Sequence, residues 1–212
     1  MLTVSGKVIA RPLHVTGHSM IHTIGHSNHP IERFLGLLQP HGITAIADVR
    51  STPYSRFNPQ FRREKLQAAL AEVGIQYVFL GAELGARSQD PACYDAEGRV
   101  SYDRLARTDL FRNGIDRLKA GMAAHRISLL CAEREPLECH RTILVARELV
   151  RDGVAVTHIL GDGSLESHDH AMQRLAASLR LTDADLFSTP ADSIEQAYEL
   201  QAARIAYVKK GG

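Results

Sequence analysis

From Met20 onward the chain alternates between short apolar runs and amphipathic segments. "MIHTIGHS" predicts a strand ending at Gly25, and "PIERFLGLLQPHG" sets Ile31, Phe34, Leu35 and Leu38 at helical spacing before Pro40 and Gly42 stop it. "ITAIADVR" reads as a buried strand. "NPQFRREKLQAALAEVG" predicts a helix capped by Asn58, with Pro59 at its first position and Gly74 past its end. "IQYVFLG" is the next strand, followed by a long loop from Ala82 to Val100. "SYDRLARTDLFRNGIDRLKAGMAAH" predicts a helix broken near Gly114. "RISLLCAE" is a strand, and "PLECHRTILVARELVRDG" a helix that starts at Pro136 and holds Cys139 in its first turn. "VAVTHIL" is a strand, while "ESHDHAMQRLAASL" and "DSIEQAYELQAARIAYV" are helices.

Strands separated by helices imply an α/β fold with a mostly parallel sheet and helices on both faces, a Rossmann-like three-layer single domain. The expected division is an N-terminal extension at 1–20, the α/β domain at 21–180 and a C-terminal helical extension at 181–212. Ligands of such sheets bind outside the carboxyl ends of the strands. The segments expected there are Gly25-His26-Ser27, Asp48 to Arg56, Gly81 to Arg87, Cys131-Ala132-Glu133 and Gly161 to Ser164.

The net charge of +1, from 25 basic and 24 acidic residues, gives no global pull toward nucleic acid or membrane. Charge is uneven locally. Between Asp48 and Lys65, Arg50, Arg56, Arg62, Arg63 and Lys65 face only Asp48 and Glu64, so a local anion site is compatible with a neutral whole. The three cysteines form no disulfide framework, no apolar run reaches membrane-span length, and the N-terminus lacks a signal core. These features lead to the expectation of a reduced, cytoplasmic protein with no membrane partner. They leave the oligomeric state open.

In the first turn of a helix, a thiol meets unpaired amides and the positive end of the helix dipole, which favour a thiolate. Cys139, with His140 and Arg141 beside it, is therefore the candidate reactive thiol; its alternative is a small apolar packing residue. Cys131 continues "ISLL" and reads better as a buried structural thiol. Cys131, Cys139, His140 and His26 could supply zinc ligands, but their spacing matches no finger or ribbon, so no metal and no cofactor are assigned. Arg50, Arg56, Arg87 and Arg141 are candidate anion ligands, with solvated surface arginines or partners of Asp48 and Glu133 as the plainer reading. Asp48 either orients an arginine or acts as a general base, and His26 either handles protons or bonds its own loop.

No glycine-rich phosphate loop with lysine, no Gly-x-Gly-x-x-Gly and no Gly-x-Ser-x-Gly elbow occurs. The position that a Cys-x5-Arg cradle requires is Leu137 after Cys131 and Val145 after Cys139.

"TIGHS" (23–27), "DVRSTPYSR" (48–56), "LGAELGAR" (80–87) and "LLCAEREPLECHR" (129–141) together resemble the signature segments of the domain of unknown function 488 family, over about Ile21 to Leu160. The resemblance implies an α/β fold and brings no established reaction. It singles out His26, Ser27, Asp48, Arg50, Ser55, Arg56, Cys131, Glu133, Cys139, His140 and Arg141. Labels carried by some relatives associate the family with DNA repair.

The expected function is an enzyme acting on an anionic, phosphorylated or nucleotide-like ligand. Cys139, His26 and Asp48 would do the chemistry, and Ser27, Arg50, Ser55, Arg56, Arg87, Glu133, His140 and Arg141 would contact the ligand. The alternative is a non-catalytic module binding nucleic acid or a nucleotide through the same arginines.

Overall fold

The computed structural model describes residues 20–181 and 189–209. The expected N-terminal extension therefore lies outside the described residues except for Met20.

Six strands form one sheet in the order β3-β2-β4-β1-β5-β6, with β1 Met20–Gly25, β2 Ala45–Asp48, β3 Gln76–Phe79, β4 Ile127–Cys131, β5 Ala155–Ile159 and β6 Leu165–Ser167. Every pairing is parallel except that of β5 with β6. The fold is α/β, with a mostly parallel sheet between two helical layers.

Strand side chains alternate between the two faces, and this divides the core. On one face Ile24, Ile46, Leu130 and Ile159 pack against Phe34 and Leu38 of α1 (Ile31–Leu38) and Leu66 and Leu70 of α2 (Arg63–Glu72). On the other, Ile21, Ala45, Ala47, Leu129 and Val156 meet α5 (Asp109–Gly121), α7 (His168–Ser178) and a helix wound as a π-helix at Arg141–Ala146 before continuing as α6 (Arg147–Arg151). The short α3 (Gly81–Leu84) and α4 (Tyr102–Ala106) belong to the same layer.

The C-terminal helix α8 (Pro190–Ile205) begins with a capping box at Thr189 and Asp192 and closes this layer. Ala197 and Tyr198 join the core, and Gln201 Nε2 donates to the Leu137 carbonyl at 2.8 Å. No helix among the described residues is long and apolar enough to cross a membrane.

Several local expectations are corrected. The helix around Gly114 is not broken there, because Gly114 is where α5 packs against Leu84; an added Cβ would stand 2.8 Å from that side chain. The break lies instead at Thr108, whose hydroxyl caps α5 by accepting from the Phe111 amide. Asn58 caps nothing through its side chain. Pro59–Phe61 form a separate 3-10 turn that buries Phe61 against Phe34, and α2 starts only at Arg63. β6, at three residues, is too short to carry a readable alternation. Cys139 is also displaced from its expected place. Pro136–Glu138 form a 3-10 turn, Cys139 is extended at φ −136°, and the π-helix starts two residues later.

Candidate functional site

The carboxyl ends of β1, β2 and β4 are neighbours in the sheet, and the loops leaving them surround a cleft of about 720 Å³. Glycines let these loops pass close together. A Cβ on Gly25 would lie 1.8 Å from the Glu133 carbonyl oxygen, and one on Gly81 would lie 1.9 Å from that of Arg50. The first contact lets the loop after β4 cross the end of β1, where the His26 and Ser27 amides donate to the Cys131 and Ala132 carbonyls. The second brings the loop after β3 onto the loop after β2.

One wall of the cleft rests on a buried ion pair. Asp48 is fully buried and accepts from Arg50 Nε at 2.9 Å and Nη2 at 2.6 Å, from the Arg50 amide, and from the Tyr77 hydroxyl at 2.8 Å. Arg50 Nη1 donates to the Phe61 carbonyl at 2.9 Å and meets His26 Nε2 at 3.2 Å. Four of the guanidinium's five N–H bonds are thus engaged, leaving one on Nη2. His26 Nδ1 lies 2.7 Å from the Ser27 carbonyl and the ring stacks on Phe61, so the imidazole is the neutral Nδ1–H form whose Nε2 accepts from Arg50. Burial, then the Arg50 charge, lower its pKa to about 4. Asp48 orients an arginine with both oxygens occupied, and His26 holds the same arginine from the other side.

The floor is a thiol cluster. Glu133 Oε2 lies 3.0 Å from both Cys131 Sγ and Cys139 Sγ. His140 Nδ1 lies 3.6 Å from the first sulfur and 3.9 Å from the second, while His140 Nε2 donates to the Val49 carbonyl at 2.9 Å. The Arg141 amide donates to Cys139 Sγ at 3.4 Å. Burial alone would raise the Cys139 thiol. The hydrogen bond to Cys131, the Arg141 charge and His140 overcome it and hold the group well below the ordinary thiol value. Cys131 is pushed well above it by burial and by its neighbour. Glu133 is solvent-exposed as a residue, yet desolvation of its carboxyl and the charge on Cys139 raise its pKa. Burial opposes protonation of His140, but contact with Cys139 outweighs it and raises its pKa.

The remaining candidates divide. Ser27, Ser55 and Arg87 line the cleft; Arg87 stacks over Tyr207 at 4.6 Å, and its guanidinium makes no hydrogen bond among the described residues. Arg56 is exposed and lies outside the cleft lining. Arg141 is entirely buried. Its Nη1 donates to the Glu133 carbonyl at 2.7 Å, its Nη2 to that of Arg134 and its Nε to Thr23 Oγ1, so its donors face protein oxygens and not the cleft. The turn at Gly161–Ser164 also lies outside this cleft.

Tyr102 and Tyr207 reach the cleft from α4 and from beyond α8. No local pattern marks either one, since they arrive by tertiary packing. Cys93 is buried. A Cys-x5-Arg spacing does join Cys93 to Arg99, but Asp95 Oδ1 closes the residues between into a turn by accepting from the Glu97 and Arg99 amides, so no phosphate cradle forms.

Comparison with curated proteins and with solved structures finds no match. Residues 30–147 match a known family, a range containing the segments at 48–56, 80–87 and 129–141 but not that at 23–27. With more than half its length so matched, the chain belongs to the family described as Domain of unknown function DUF488.

Proposed function

We propose that the protein is an enzyme acting on a small anionic, phosphorylated or nucleotide-like ligand in the cleft, with Cys139 supplying the thiolate of its working centre. One observation carries this reading: two buried thiols and a buried imidazole, with the Glu133 carboxylate against both sulfurs, open into the same cleft as Arg50, Arg87 and three tyrosines (Tyr54, Tyr102 and Tyr207). A packing role for the cysteines would not require the carboxylate or the arginines beside them. The arginines suit a phosphate or carboxylate, and the tyrosine rings suit a planar group. Glu133 and Glu138 give the cleft an acidic side as well, which favours a ligand carrying hydrogen-bond donors away from its anionic end.

Two measurements test the proposal. Isothermal titration with nucleoside mono- and diphosphates should find a binder whose affinity falls about ten-fold or more in Arg87→Ala, the loss of one charge-assisted contact. No binding by any of them at low salt overturns the ligand class. Iodoacetamide at mildly acidic pH, applied after chelator treatment, should label Cys139 ahead of Cys131 and Cys93. Cys139 borders the cleft and accepts from a backbone amide, whereas Cys93 is buried away from it. Labelling of Cys93 with Cys139 untouched defeats the thiolate reading.

A second reading has its own support. Phe57 is 88% exposed, and Tyr54, beside it on the loop after β2, is covered by Arg62 at 4.4 Å. Exposed aromatic rings among arginines suit stacking on single-stranded nucleic acid. Such binding would be modest and fall steeply between two salt concentrations; its absence at low salt rejects this reading.

A further inference from the structure

The geometry points to a metal site, selective for a borderline divalent ion such as zinc, formed by Cys131 Sγ, Cys139 Sγ and His140 Nδ1 with its fourth position toward the cleft.

The three ligand atoms lie within 4.8 Å of one another, and all three residues are buried. In a tetrahedral zinc site, Zn–S bonds of about 2.3 Å and Zn–N bonds of about 2.0–2.1 Å set a sulfur-to-nitrogen edge of about 3.6 Å. The observed edges are 3.6 and 3.9 Å. His140 is already in the ligating tautomer, because its Nε2–H is held by the Val49 carbonyl and its Nδ1 lone pair is left toward the sulfurs. Anchoring the second imidazole nitrogen in this way is the usual outer-shell arrangement of a ligating histidine. Two thiolates with one imidazole favour zinc over magnesium or calcium.

Charge supports the same assignment. Arg141 is a fully buried cation with no carboxylate partner among the described residues. A divalent ion and Arg141 bring three positive charges; the two thiolates and the Glu133 carboxylate bring three negative ones. With the ion in place both thiols, Glu133 and Arg141 are ionised, His140 stays a neutral ligand, and the sum is zero. Each thiol still protonated releases its proton to solvent as the ion binds. Glu133, 3.0 Å from both sulfurs, then stands where it can occupy the fourth position or take a proton from a water bound there.

The ion's binding stands on this geometry alone; its role rests on the reading of the cleft as an enzyme site, where an open fourth position could polarise a ligand oxygen.

The test uses the full chain, stripped with chelator and titrated with cobalt(II). One equivalent should give the intense visible bands of tetrahedral cobalt and a near-ultraviolet thiolate charge-transfer band, both abolished by added zinc. Cys139→Ser and His140→Gln should lose these bands, and Cys93→Ala should keep them. Zinc-loaded protein should resist iodoacetamide at Cys131 and Cys139, so the wild-type chain alone decides the matter if a variant fails to fold. A pale six-coordinate spectrum, or identical labelling with and without zinc, overturns the site. Nucleotide titrations of loaded and stripped protein separate the two readings. Cobalt bands without nucleotide binding uphold the metal site and fail the ligand. Nucleotide binding without cobalt bands does the reverse.

Discussion

Asp48→Ala should lower stability by about 3–5 kcal/mol, because it strands the Arg50 guanidinium in the interior with no counter-charge. The pair is buried on both sides, and Asp48 accepts four hydrogen bonds. The loss also unhooks the Tyr77 hydroxyl and frees the guanidinium that His26 leans on. Against a typical total of about 5–15 kcal/mol, a change of this size is a large part of the stability. Denaturant melts should show the midpoint falling sharply. A drop under about 1 kcal/mol would mean that water already reaches the pair and screens it. Replacing both partners by apolar residues, Asp48→Leu with Arg50→Met, should recover much of the loss, since the desolvation penalty disappears along with the attraction. The cleft should stay unable to bind its ligand in the double variant. Stability and binding would then separate in one experiment.

Acid should unfold the protein earlier than its carboxylates alone would require. Three buried histidines outside the cleft lining are held neutral. Burial, then Arg126, lower His22 to about 4, and burial lowers His168 to about 4. Burial and then His168 keep His158 well below its ordinary value. His22 Nδ1 has no partner among the described residues, and His158 and His168 join a chain from Thr23 to the Tyr198 hydroxyl. The unfolded chain takes protons at these positions near pH 6.5, whereas His22 and His168 in the folded chain resist until about pH 4. The folded state thus binds fewer protons within that window, and its stability falls as pH falls from about 6.5 toward 4. Each such group contributes a slope of about 1.4 kcal/mol per pH unit there. Melting temperatures recorded from pH 7.5 to 4.5 should drop steadily below pH 6.5. A flat profile between pH 7 and 5 would show that these rings are solvated.

The parts of this molecule readable from sequence were those set by short-range physics. Strand β2 is three apolar residues closed by an aspartate, and helices α1 and α8 carry their periodicity within their own segments. The rule that loops leave parallel strands at one end gathered Cys131, Arg50 and His26, whereas Cys139 and His140 were picked out by a first helical turn that is in fact a 3-10 turn ending in an extended residue. What could not be read was direction. Arg141 resembles an anion ligand in sequence, yet it turns inward to two carbonyls because the loop after β4 needs a donor there. His26 resembles a base, and only the Arg50 guanidinium across the sheet shows that its lone pair is occupied. The metal set was discounted for its unfamiliar spacing, since extended Cys139 and the π-turn after it determine the separation of the sulfurs and leave no trace in residue counts.

The place of β4 in the sheet has a dynamic consequence. It lies between β2 and β1, themselves flanked by β3 and β5, so opening either edge of the sheet leaves the floor of the cleft covered on both sides. Amide exchange should therefore be slowest at 127–131 and fastest at the margins, in β3 and β6. Fluctuations that release the rim loops would expose the cleft while the cysteine ending β4 stays fixed, and the centre would survive partial unfolding that frees a bound ligand.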